Sequence, residues 1–186
     1  METIELSGKK ELDIYINPQR QNLLRCMQIA GVPMTAKQIA DKIGISASSV
    51  QHHIRLLAEL GIVEQSHIEQ IHGIKATYYR VLQKTVRIGS LNHDENGYQR
   101  IALMQADLTR TFSGFLEYCA KETEDSVSAD QFGDMLSGII HLNKPEAKEL
   151  YAMIRAFLHE HEKQSDGGVA WEYAIIAYPV EREDHA

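Results

Sequence analysis

The chain has 186 residues, 44% of them hydrophobic, and a formal net charge of −7 at pH 7, enough apolar material for one ordinary domain and a second small one. Cys26 and Cys119 lie far apart among apolar positions, which fits neither a disulfide framework nor a zinc spacing and predicts two reduced, partly buried thiols. Apolar runs stop short of the roughly 18 residues of a membrane span, and the opening METIELSGKKELDIYIN lacks the charged-then-apolar order of a signal peptide; a cytoplasmic protein with no membrane partner is expected.

In chain order, LDIYIN reads as an extended opening. Pro18 is then placed to start a helix whose apolar residues Leu23, Leu24, Met27 and Ile29 recur at helical spacing until Gly31-Val32-Pro33 stops it. Thr35 is the expected N-cap of a short second helix with Ala36, Ile39, Ala40 and Ile43 on its apolar face, closed by Gly44. Ser46 caps a third, in which Val50, Ile54, Leu57 and Leu60 face inward up to Gly61. The runs IVEQSHIEQ and ATYYRVL, separated by IHGIK, then read as a hairpin turning at Gly73.

Residues 85–97 are polar and hold two glycines, the pattern of a linker between residues 1–84 and 98–186. Beyond it, Ile101, Met104, Leu108, Phe112, Phe115 and Cys119 step by three or four and predict a helix of about 24 residues, over 98–122, with a broad apolar stripe suited to dimerisation. LSGIIHL at 136–142 reads as a short strand, Pro145 opens a further helix, and VAWEYAIIAYPV at 169–180 is a β-prone run that could pair with LSGIIHL. The expected fold class is therefore mainly α with small β elements (α+β): three tandem helices and a hairpin, a long dimerisation helix, and a strand-helix-strand unit.

The segment AKQIADKIGISASSVQHHIRLLAELGIV, residues 36–63, carries the chemistry. A helix-turn-helix needs a small residue where its helices touch, a turn residue tolerant of positive φ, and an apolar anchor for the second helix. Ala40, Gly44 and Val50 meet those needs in order. The outward face of the third helix is then Ala47, Ser48, Gln51, His52 and Arg55, side chains able to approach base edges. The hairpin follows directly, with Lys75 beside its turn, where a wing would set a cation against phosphate. Charge is distributed accordingly: residues 18–90 hold nine Lys/Arg against four acids, a net +5, and residues 91–186 hold eight against eighteen, a net −10, so only the first part suits a polyanion.

The string Ser48-Ser49-Val50-Gln51-His52-His53-Ile54-Arg55-Leu56-Leu57 followed by Glu59-Leu60-Gly61-Ile62-Val63 resembles the recognition helix and wing entry of ArsR-type winged-helix regulators. Asn17-Pro18-Gln19-Arg20 with Leu23-Leu24, the start Met34-Thr35-Ala36-Lys37-Gln38-Ile39-Ala40, and the pair Tyr78-Tyr79 are similar to that family too. The resemblance covers residues 17 to about 82; a strand-helix-strand tail after a long helix is similar to what several ArsR-like regulators carry. It implies a dimer whose third helices enter successive major grooves of an imperfect palindrome, with wings on flanking phosphates, and it implies that His53 packs beneath the recognition helix. Metal-sensing members carry a cysteine pair at the recognition helix, where this chain has Ser46-Ala47-Ser48-Ser49, so a thiolate metal site of that kind is excluded.

His52 with His53, and His159 with His161, are adjacent or two apart on helices and point in different directions, so no metal or other cofactor is expected. Phe112, Phe115, Tyr118, Trp171, Tyr173 and Tyr178 are core residues or, as the alternative, the lining of a pocket for an unidentified small-molecule effector. No phosphate loop, nucleophile elbow or paired carboxylate motif is present, and no enzymatic activity is expected. The reading is a homodimeric repressor of transcription that binds double-stranded DNA through residues 46–60. Thr35, Lys37, Gln38, Ser46, Ala47, Ser48, Ser49, Gln51, His52, Arg55 and Lys75 are its candidate DNA-binding residues. The alternatives are a winged-helix protein-interaction module and a small-molecule-binding domain without DNA affinity.

Overall fold

The computed structural model describes residues 3–82, 84–89, 94–125, 133–161 and 168–180. It is α+β and mainly helical. In chain order the elements are β1 (Thr3–Glu5), α1 (Lys9–Ile16), α2 (Pro18–Ala30), β2 (Met34–Thr35), α3 (Ala36–Ile43), α4 (Ala47–Glu59), β3 (Val63–Ile71), β4 (Ile74–Val81), β5 (Thr85–Arg87), α5 (Gly97–Asp125) and α6 (Lys144–Glu160). The chain divides into two compact units, Met1–Leu103 with Ile139–Ala170, and Met104–Gly138 with Trp171–Ala186.

The three tandem helices stand where their punctuation places them. Asn17 accepts hydrogen bonds from the backbone of Gln19 and Arg20, and Pro18 occupies the first turn of α2, where its missing N–H leaves no donor unmet. Gly31 and Gly44 end α2 and α3 in the left-handed conformation, at φ 65° and 72°, which a side-chain-bearing residue enters at a cost. Thr35 caps α3 reciprocally with Gln38. Their apolar faces meet in one core in which Leu23, Ile39, Val50 and Leu57 are fully buried and Met27, Ala40 and Ile54 nearly so.

A three-stranded sheet in the order β2-β4-β3, antiparallel throughout, closes against this core. Three helices, a short first strand and a trailing hairpin make a winged helix. The hairpin turns through His72 and Gly73, both at positive φ (49° and 80°), as a two-residue turn matched to strand twist requires. Ser66 is the extra residue in the register between Gln65 and His67, a bulge that bends the wing.

Three expectations are corrected. LDIYIN is helical: Leu12 and Ile14 are buried in α1, whose first turn is held by the Glu11 carboxylate accepting from Gly8 N–H at 3.1 Å. Thr85–Arg87, inside the segment expected to be linker, form β5 and pair in parallel with β1; residues 90–93 of that segment lie outside the described residues. Finally, neither 136–142 nor 168–180 enters a strand, while the helix between them forms with Asn143 as its cap. β composition is a fit to a pleated, half-buried surface, so by itself it does not make a run a strand.

The long helix runs over Gly97–Asp125, a little beyond its expected 98–122. Leu103 is buried, while Ile101, Met104, Leu108 and Phe112 are 40–48% exposed, and Phe115 and Cys119 are half-buried. At its start Arg100 is buried in a two-pronged pairing with the Asp94 carboxylate, which holds that carboxyl below its usual range. Among the described residues no helix is long and apolar enough to cross a membrane.

Candidate nucleic-acid interface

Along α4 the helical period sorts side chains cleanly. Val50, Ile54 and Leu57 are 0–3% exposed and lie in the core, whereas Ser48, Gln51, His52 and Arg55 are exposed, at spacings that place them on one face. The face stays polar to its end, where exposed Glu59 bounds the cationic part.

Several predicted contact residues have a structural task first. Ser46 Oγ accepts from Ser49 N–H at 3.1 Å and shares hydrogen bonds with the hydroxyls of Ser48 and Ser49 at 2.9 and 2.8 Å, closing the N-terminus of α4. Ala47 and Ser49 are half-buried. Thr35 and Gln38 are engaged in the reciprocal cap of α3. Lys37 is exposed and pairs with Asp41 one turn on, a contact weak enough in water to be exchanged for phosphate. What remains for direct contact is Ser48, Gln51, His52 and Arg55 on α4, with exposed Lys75 on the wing.

The wing is less cationic than its sequence suggests. Arg80 is taken up by Glu64 across the strands, at 2.6–2.7 Å. His67 stacks on Tyr78 with ring centroids 4.5 Å apart and lies 3.3 Å from the Glu69 carboxylate. Burial and a hydrogen bond to Glu69 raise the Tyr78 phenol above its usual pKa. Lys75, opposite Gln70 next to the turn, enters no ion pair among the described residues. Ile71 and Ile74, the pair that flanks the turn, are 43% and 73% exposed.

Charge counting hid one residue. Arg20, counted among the cations of the basic segment, is 8% exposed. Its guanidinium donates to the carbonyls of Ile14 and Asp13 at the end of α1, and its Nη1 lies 3.4 Å from His53 Nδ1. Gln21 adds a bond to the Tyr15 carbonyl at 2.6 Å. The first turn of α2 thus satisfies the last carbonyls of α1, which have no partner within their own helix, and Arg20 ties both to the underside of α4. His53 is half-buried, as the family resemblance implies; burial, Arg20 and His52 together lower its pKa. The signal was available in the sequence: an arginine three residues after an asparagine cap, on the helix side that carries Leu23, Leu24 and Met27.

Of the aromatic residues weighed as core or pocket, Phe112, Tyr118, Trp171, Tyr173 and Tyr178 are 36–74% exposed and Phe115 is half-buried, so among the described residues they form no sealed core. Among the described residues no group of three or more His, Cys, Asp or Glu side chains could hold a metal ion.

Among solved structures the chain is similar to a possible transcriptional regulator from Methanosarcina mazei Go1, at 12% identity over 56% of this chain and 81% of that one, with a TM-score of 0.34. No curated protein matches the sequence. Residues 15–66 match the family model of the helix-turn-helix domain, a stretch that includes α2, α3, α4 and the start of β3.

Proposed function

We propose that the chain is a sequence-specific, DNA-binding regulator of transcription of ArsR-like type, a cytoplasmic homodimer that represses by occupying an imperfect palindrome at a promoter. Residues 1–84 with β5 are the DNA-binding domain, the rest of 85–97 the connection, and 98–186 the dimerisation part with room for an effector. One observation carries the reading. The apolar side of α4 is sealed into the core while Ser48, Gln51, His52 and Arg55 stand exposed on the other side, inside a matched helix-turn-helix domain. Gln51 and His52 read base edges, Ser48 fits closely beside them, and Arg55 with Lys37 and Lys75 takes phosphates or bases. The exposed stripe of Ile101, Met104, Leu108 and Phe112, continued by Phe115 and Cys119, supports self-association along α5, because an apolar face of that length is unstable in water.

The test is selection of duplexes from a random pool by the full chain. Recovered sites should hold two half-sites about one helical turn (roughly 10 base pairs) apart, and affinity should fall steeply with salt. Failure to enrich any sequence, or binding indifferent to salt, refutes the proposal. The apolar wing tip, Ile71 and Ile74, favours a second reading in which the wing docks on a protein; that reading predicts no duplex affinity at any salt concentration.

A further inference from the structure

Thr3 of β1, Thr85 and Arg87 of β5, and Arg155, Ala156 and His159 of α6 line one cleft of about 310 Å³. All six belong to the compact unit that holds Met1–Leu103 and Ile139–Ala170. The volume is at the lower end of small-molecule sites, which run from roughly 300 to 1,000 Å³. The parallel pairing of β1 with β5 brings Thr3 and Arg87 to the cleft from opposite ends of the first domain's sequence.

Charge identifies the occupant. The chain carries a net charge of −7, yet two arginines and a histidine line this cleft and no described carboxylate does. Arg155 is exposed and enters no ion pair among the described residues. Arg87 lies 3.5 Å from the Glu5 carboxylate with both side chains exposed, a pair weak enough in water for an anion to displace. Two cations on one cleft repel each other unless an anion sits between them. A carboxylate is saturated by a single guanidinium fork, whereas a phosphomonoester, with a charge of about −1.5 to −2 and three free oxygens, can take both. Arg155 also lines a neighbouring hollow with Ala147, Lys148 and Tyr151. Lys148, Arg155 and His159 fall on one face of α6 by their spacing, so the organic remainder of such a ligand has a place beside its phosphate.

We propose that this cleft binds the phosphate group of a small phosphomonoester, gripped by Arg155 and Arg87, with the rest of the ligand lying along α6 toward Lys148. Thr85 and His159 shape the cleft and are not called on as donors. The site uses no residue of α4, so it stands whether or not the chain binds DNA, and for the regulator proposed above it is the place of an effector. Duplex DNA also offers phosphate, but as a row of charges along a backbone, which a cleft of this size does not accommodate.

NMR titration of the full chain at constant ionic strength tests this, with phenyl phosphate, inorganic phosphate and chloride as probes. Phenyl phosphate should shift the amides of Thr3, Arg87, Arg155 and Ala156 saturably, with a dissociation constant on the order of 1 mM or tighter. Inorganic phosphate should do so several-fold more weakly, and chloride should leave those amides unmoved. Arg155→Ala should weaken phenyl phosphate binding about tenfold or more, and Arg155→Lys, a point charge in place of a planar fork, should recover only part of it. Arg87→Gln carries the same expectation and decides the matter if Arg155→Ala does not fold. Shifts that never saturate, an equal response to chloride, or affinity unchanged in the arginine variants overturns the site. Inorganic phosphate binding as tightly as phenyl phosphate overturns the assignment to an ester. Loss of duplex affinity in Arg155→Ala, with no saturable response to phenyl phosphate in the wild type, gives the two arginines to the DNA backbone and overturns the inference.

Discussion

Replacing Arg20 by alanine isolates the contact that joins α1 to α2 and to the underside of α4. Arg20 is 8% exposed, and its guanidinium donates to two carbonyls in the last turn of α1, Ile14 and Asp13. A hydrogen bond from a charged donor contributes roughly 1.5–3 kcal/mol by deletion, less where water can replace it. Asp13 is exposed and its carbonyl will be rehydrated, whereas Ile14 is 8% exposed and its carbonyl will stay poorly paired. Adding the lost packing of the side-chain stem, the expected loss is about 2–4 kcal/mol, a large share of a domain's net stability. Arg20→Lys keeps the charge but not the planar fork, reaches one carbonyl, and should recover about half. Urea unfolding of the full chain followed by far-UV circular dichroism measures both, and hydrogen exchange over residues 9–16 reports whether α1 detaches first. A loss below about 0.5 kcal/mol, or a lysine variant equal to wild type, would show that the guanidinium fork contributes nothing.

Further expectations follow from the same geometry. Because the His53 pKa is lowered in the folded chain from the ordinary 6.5, the unfolded chain binds more protons below that pH, so stability should fall as pH drops from about 6.5 through the folded value; His53→Gln should flatten that part of the stability profile, and Arg20→Ala should raise the His53 pKa in an NMR titration. Gln51→Ala or His52→Ala should relax preference at one base position by roughly 1–3 kcal/mol, read by competition among half-site variants. Lys75→Ala should instead weaken all duplexes alike and reduce the salt slope by about one; an unchanged slope removes the wing from the phosphates. His72 holds φ 49° in the turn, so His72→Asn should raise stability by up to about 1 kcal/mol, a shift of roughly 2–4 °C in melting temperature; a lower melting temperature would contradict the turn assignment.

The features of the winged helix that the sequence displays are those whose cause is local. Thr35 with Gln38, Gly44, Ser46 and Gly73 each act within a few residues of their own position, and the apolar spacing around Ala40 and Val50 settles which face of α4 turns outward. Non-local causes are less visible. LDIYIN alternates like a strand, but Gly8 and Glu11 start it as a helix and Arg20, folded back from the next helix, satisfies its last carbonyls. Thr85–Arg87 look like linker until Thr3–Glu5, some eighty residues earlier, supply an edge. LSGIIHL and VAWEYAIIAYPV have stronger β composition than either, yet neither is a strand among the described residues. Composition therefore ranks these four segments in the wrong order, because β propensity measures how well a run fits a pleated, half-buried surface, and whether that surface exists is decided elsewhere in the chain.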